Sequence, residues 1–169
     1  MSTTVEQHRS EGPHALRIAV VTVSDTRTTA TDTSGDLAAS LAEAAGHAIV
    51  GRAIVPDEPE AMRTLLRGYD PSEVHAVLMT GGTGISARDQ TYETVSALLT
   101  KHLPGYGELF RMLSYEEIGT ACLLSRATGG LMGEVVVLTM PGSTAAVRTA
   151  MTRVILPELA HIVREARKH

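Results

Sequence analysis

The 169-residue chain has a single cysteine, Cys122, no tryptophan, one phenylalanine and only two lysines, Lys101 and Lys168. One cysteine excludes an intrachain disulfide and a cysteine-rich zinc site. Aromatic residues make up 3% of the chain, too few for the stacking platforms that hold single-stranded nucleic acid. The formal net charge of −4 points the same way, because a nucleic-acid face needs clustered cations. No apolar run reaches membrane-spanning length, and no basic stretch leads into a hydrophobic one at the N-terminus. A cytoplasmic protein without membrane or nucleic-acid partners is therefore expected. The seven histidines show no helical pairing or ligand spacing. Cys122 stands in Ala-Cys-Leu-Leu at 121–124 and reads as a small buried filler.

What is present suits one globular domain: 43% of residues are hydrophobic and 20% charged. Residues 1–14 are polar and are expected to be a disordered extension, leaving 15–169 as the domain. Apolar, β-branched runs at 16–23, 47–55, 74–79 and 134–140 read as strands, the first typical of a strand covered on both faces and the third buried. Helical patterns occupy 37–45, 60–69, 91–102, 108–124 and 145–156, with Pro157 marking a kink or a fresh start. Residues 103–107 read as a turn and 125–133 as a loop. Strands alternating with helices at these spacings predict a three-layer α/β/α sandwich around a mostly parallel sheet. In such folds ligands bind beyond the carboxyl ends of the strands. Four polar or glycine-rich segments fall there: Ser24-Asp25, Pro56-Asp57-Glu58, 81–89 and 141–144.

The densest of these is Gly-Gly-Thr-Gly-Ile-Ser-Ala-Arg-Asp-Gln-Thr at 81–91, directly after the third strand. Its glycines permit a sharp turn and close approach of a ligand, and successive N–H groups in such a loop make a cradle for phosphate. Asp89 adds a carboxylate suited to Mg²⁺ and Arg88 a cation. A cradle beside a hard carboxylate is the minimum equipment for chemistry on a phosphorylated substrate. Residues 82–87 also fit Gly-x-Gly-x-x-Ala, but they follow the third strand rather than the first, and no acidic strand end lies about twenty positions on. No Lys-Ser or Lys-Thr follows the glycines, which excludes a Walker loop.

Asp57 is the second carboxylate at a strand end, although Asp before Glu-Pro-Glu also suits a helix cap. Asp89 has a competing use as a cap or as the partner of Arg88. Glu108 reads either as a helix-start acid or as a ligand. Ser143 is expected to cap the helix beginning near Thr144, with nearby N–H groups free for an anion. Segment 24–27, Ser-Asp-Thr-Arg, reads as a solvated loop as readily as a site.

Together these residues resemble a known family. Gly-Gly-Thr-Gly-x-x-x-Arg-Asp-x-Thr, Leu-Pro-Gly-Tyr-Gly-Glu-Leu-Phe-Arg at 103–111, Ser-Arg-Ala at 125–127 and Pro-Gly-Ser at 141–143 occur in this order in the MoaB/Mog family of molybdenum-cofactor biosynthesis and in gephyrin-type G domains. The resemblance spans about residues 17–157. It implies adenylylation of molybdopterin: the terminal phosphate attacks the α-phosphate of Mg-ATP, and pyrophosphate leaves. By carry-over Asp57 and Asp89 are the catalytic, Mg²⁺-linked carboxylates. Gly81, Gly82, Thr83, Gly84 and Ser86 would hold phosphate, while Glu108 and Ser143 would line the pterin and nucleotide pocket. The resemblance further implies a homotrimer or a dimer of trimers, and contact with a molybdenum insertase. Mog-branch members commonly carry Pro where this chain has Ala87 and Tyr92, so the segment is more similar to the MoaB branch. The alternative within the same pathway is a catalytically silent molybdopterin-binding protein; the presence of both aspartates favours the enzyme.

Overall fold

The centre of the molecule is built from apolar, β-branched strands in the computed structural model, which describes residues 15–168. The expected N-terminal extension lies outside the described residues. Strands β1 (Arg17–Val23), β2 (Ala48–Val55), β3 (Ala76–Thr80), β4 (Lys101–His102), β5 (Gly129–Met132) and β6 (Val135–Met140) form one sheet in the order β2-β1-β3-β6-β5-β4. β2, β1, β3 and β6 run parallel, and β5 and β4 add an antiparallel edge. Strand β3 keeps unbroken register over five residues with both β1 and β6 and is buried throughout. That agrees with its sequence, apolar from Ala76 to Met79, and with Thr80, whose buried hydroxyl donates to Pro141 C=O (3.0 Å).

Side-chain alternation divides the core into two layers. Ile18, Val20, Ala76, Leu78, Val136, Leu138 and Met140 face helices α1 (Thr33–Ala44), α4 (Pro104–Ile118), α5 (Thr144–Ala150) and α6 (Leu156–Ala166). Ala19, Val21, Val23, Val77, Met79 and Val137 face α2 (Pro59–Arg67) and α3 (Thr91–Leu98). The three-layer α/β/α domain with a mostly parallel sheet is thus the observed architecture.

Three elements depart from expectation. Helix α3 stops at Leu98, and the segment 100–102 instead turns into the edge, with Thr100 N–H donating to Leu131 C=O (2.7 Å). Residues 129–132 are not loop but strand β5. Helix α4 begins at Pro104, whose fixed φ and missing N–H suit a first turn, and it ends at Gly119; a 3₁₀ turn then covers Gly119–Leu124. At Pro157 the expected fresh start is found: α6 opens at Leu156 with the proline in its first turn. One π turn, Met151–Ile155, precedes it, so the ladder shifts where proline cannot donate.

All four parallel strands end at the same edge of the sheet. There β1 runs into Ser24-Asp25, β2 into Pro56-Asp57, β3 into Gly81 and β6 into Pro141.

Candidate functional site

At that edge a cleft of about 340 Å³ opens between two unlike walls. One wall is backbone-rich and polar: Gly81, Gly82, Thr83, Gly84 and Asp89 from the loop after β3, with Pro141, Gly142 and Ser143 from the loop after β6. The other comes from α4 and the 3₁₀ turn and is mainly apolar: Phe110, Ile118, Ala121, Cys122 and Leu124, with Ser114 among them. Such a cleft suits a ligand with an anionic end and a flat apolar body.

The glycine loop is shaped by packing. Gly81 has φ +102° and a side chain there would strike the Val23 carbonyl, so only glycine lets β3 pass the end of β1. Gly82 has φ +64°, and a Cβ would collide with Thr91 Oγ1 and Asp57 Oδ2. Thr91 is fully buried; its hydroxyl donates to Gly81 C=O (3.0 Å) and its N–H to Gly82 C=O (3.1 Å). Gly81 N–H in turn donates to Met140 C=O (3.0 Å), which fastens the loop to β6.

Asp57 lies directly behind Gly82 and is buried, but it does not line the open cleft. The capping reading fails: Glu58 occupies the N-cap position of α2 and makes no side-chain cap bond. Instead Asp57 Oδ1 accepts the Gln90 N–H (2.9 Å), and the Asp57 N–H donates to Asp25 Oδ1 (3.1 Å). Burial pushes the Asp57 carboxyl above its ordinary pKa, the Gln90 bond pulls it back, and the negative charges of Asp89 and Asp25 push it up further.

Asp89 does line the cleft. Its Oδ2 accepts the Ser86 N–H (2.9 Å), while its own N–H donates to Ser86 C=O (3.1 Å). It forms no pair with Arg88. Arg88 reaches across to Asp25 in a bidentate pair (2.7 and 2.8 Å) and approaches Glu58 at 3.4 Å. Segment 24–27 is therefore more than a solvated loop: it anchors the far side of the glycine loop, and Arg88 holds the Asp25 carboxyl well below the usual carboxylate range.

Ser143 lines the cleft and caps α5 as its sequence suggests, accepting the Ala146 N–H (3.2 Å). Ser86 is exposed and enters only through its backbone. Glu108 does not face this cleft; it is exposed in a separate depression of about 260 Å³ with Tyr92, His102 and Arg111. Residues absent from the sequence-based site are the apolar wall and Arg126. The wall was signalled only by apolar residues left over at the end of α4. Arg126 was visible only inside the Ser-Arg-Ala motif.

Among the described residues no group of three His, Cys, Asp or Glu side chains is placed to hold a metal ion. Asp89, the one aspartate that lines the cleft, nevertheless fits Mg²⁺, which takes one or two protein carboxylates and completes its shell with phosphate oxygens and water.

Residues 19–161 match the family model described as "Probable molybdopterin binding domain". The molybdenum cofactor biosynthesis protein B of Bacillus subtilis is 51% identical over 167 residues, covering 98% of each chain. A crystal structure of a molybdenum cofactor biosynthesis protein B superposes with a TM-score of 0.89 at 50% identity, covering 94% of this chain and all of that one. The tungsten cofactor synthesizing protein MoaB of Pyrococcus furiosus gives a TM-score of 0.82 at 39% identity over 92% and 99% of the two chains. Sheet order, glycine loop and full-length similarity thus agree, and this chain belongs to the MoaB/Mog family of molybdenum-cofactor biosynthesis proteins.

Proposed function

We propose that the chain catalyses adenylyl transfer from ATP to the terminal phosphate of molybdopterin. The observation that carries this reading is the placing of two aspartates on one glycine loop: Asp89 faces a cleft with one polar and one apolar wall, and Asp57 lies behind the loop, bonded to the N–H of the Asp89–Gln90 peptide. A phosphate oxygen of molybdopterin attacks the α-phosphorus of ATP, one P–O bond forms, the bond to the β-phosphate oxygen breaks, and pyrophosphate leaves. Such a transfer needs alignment and charge neutralisation more than a protein nucleophile. Residues 82–84 and Ser143 hold phosphate, Gly81 shaping the turn with its N–H already donated to Met140 C=O, and the wall from Phe110 to Leu124 packs against the ring system. Asp89, with Asp57 behind it, would hold Mg²⁺. When bound, that ion would neutralise phosphate charge and favour departure of pyrophosphate. Glu108 meets a ligand only where that ligand extends beyond the cleft.

The exposed apolar residues of α4 and the following turn, Leu109, Met112, Tyr115 and Leu123 among them, support a threefold assembly of the chain. A molybdenum insertase is the expected recipient of the product.

The test is molybdopterin-dependent release of pyrophosphate from Mg-ATP. Release that requires both substrates supports the transferase. Tight molybdopterin binding with no release would instead identify a binding protein of the same pathway.

A further inference from the structure

Three carbonyls of the glycine loop converge on one residue outside the cleft. The Arg126 N–H donates to Thr83 C=O (3.0 Å), its Nε to Gly84 C=O (2.7 Å) and its Nη2 to Asp89 C=O (3.1 Å). Its remaining nitrogen, Nη1, pairs with Glu93, and the guanidinium lies 5.3 Å from the ring centre of Tyr92. Arg126 also follows the 3₁₀ turn of the apolar wall, so it joins the two walls of the cleft.

Peptide geometry extends its reach. No described peptide bond is cis, so the C=O and N–H of each peptide point in opposite directions. The Asp89–Gln90 peptide is gripped at both ends: Arg126 donates to its carbonyl, and its N–H donates to Asp57 Oδ1. A cation on the carbonyl polarises the peptide and strengthens the N–H as a donor. The same logic turns the Gly84 and Ile85 N–H groups away from Arg126. A rigid guanidinium fork serves two carbonyls at once, which an ammonium cannot do with the same alignment.

We propose that Arg126 is a positioning residue that presets the glycine loop and, through the Asp89–Gln90 peptide, fixes Asp89 and Asp57 relative to each other. Its catalytic consequence rests on the adenylyl-transfer reading above; its structural consequence does not. Arg126 does not line the cleft and acts by holding the carboxylates where the transferred phosphate passes.

The experiment compares full-length wild type, Arg126→Lys and Arg126→Ala by amide hydrogen exchange, by steady-state pyrophosphate release, and by rescue of Arg126→Ala with guanidinium ion. Exchange at residues 84–90 is expected to quicken at least about tenfold in both variants while the strands β1, β3 and β6 stay protected. Turnover should fall about a hundredfold, with KM for both substrates changed only a few-fold. Guanidinium should restore part of the turnover in Arg126→Ala. Unchanged loop exchange in both variants would overturn the clamp. So would a general loss of protection across the sheet in Arg126→Lys, which would make the residue part of the scaffold. A wild type that protects the loop but releases no pyrophosphate would overturn the transferase reading alone, and the exchange data would still decide the clamp.

Discussion

A carboxylate in the position of Asp89 has two separable tasks, closing its own loop and facing the cleft. Its Oδ2 takes the Ser86 N–H, which an amide oxygen also does, so Asp89→Asn preserves the turn. The substitution removes the charge and turns the other oxygen into an NH₂ donor. If that charge acts in the transition state, turnover should drop at least about a hundredfold, roughly 2.7 kcal/mol. Molybdopterin, which the proposed function places against the loop and the apolar wall, should still bind within a few-fold. Paired measurement of pyrophosphate release and molybdopterin affinity on this variant separates the two tasks, and near-wild-type turnover would remove Asp89 from the mechanism. Gly82 tests the other side of the loop. At φ +64°, with Asp57 Oδ2 and Thr91 Oγ1 where a Cβ must go, Gly82→Ala forces either the backbone or Asp57 to move. A loss of at least about 1 kcal/mol in urea unfolding is expected, together with loss of turnover. An active, fully stable Gly82→Ala protein would show that the packing of Asp57 against the loop has no consequence.

Strand β1 is held at its start by two histidines, and these give the fold a pH dependence. Leu16 N–H donates to His47 Nδ1 (3.3 Å) and Arg17 N–H to His75 Nδ1 (3.1 Å), so both rings act as neutral acceptors. Burial lowers both pKa values below the ordinary 6.5, and for His75 the charges of Arg167 and Arg17 lower it further. Around and below the ordinary value the unfolded chain then binds more protons than the folded one. Stability is therefore full above it and falls as the pH drops toward the folded values. The double variant His47→Asn, His75→Asn should flatten the decline of melting temperature between about pH 7 and 5. An unchanged slope would assign that decline to carboxylates. Elements also differ in how far the sequence announces them. Strands β1, β3 and β6 are legible because each is a nearly continuous apolar run, and the loops at their ends follow as punctuation; β2, at the sheet edge, carries Gly51 and Arg52 and alternates between exposed and half-buried positions. The antiparallel edge is hidden. β4 has two residues, and β5 opens with Gly129-Gly130, where a side chain would strike Leu138 and the Lys101 carbonyl, respectively. Glycines required by close packing look, in sequence, like loop. Arg126 is illegible for another reason: its partners are main-chain carbonyls thirty-seven or more positions away, at 83, 84 and 89.

At the scale of the whole molecule, the helix that walls the cleft is also the element that leaves most apolar surface in water. Tyr106, Phe110 and Leu113 turn inward from α4, as helical spacing requires, but Leu109, Met112, Tyr115 and Ile118 remain exposed, and Leu123 and Leu124 continue the patch along the 3₁₀ turn. Leu123 is 77% exposed, an unfavourable state for a leucine unless another surface covers it. Ile118 and Leu124 belong both to this patch and to the cleft, so an assembly that covers the patch also firms the apolar wall. Closed symmetric contacts among copies of one chain are the common way to cover such a face, and we propose the threefold symmetry that the family resemblance implies. Light scattering at micromolar concentration should give a mass of three or six chains, and the melting temperature should rise with protein concentration. Met112→Glu with Tyr115→Glu places charges on the outer side of α4 without touching a cleft-lining residue. That variant should run as a folded monomer, melt independently of concentration and bind molybdopterin more weakly than the assembled protein. A wild type that is monomeric under these conditions would sink the assembly and leave the exposed face of α4 unexplained by it. A double variant that stays assembled would move the interface elsewhere on the molecule.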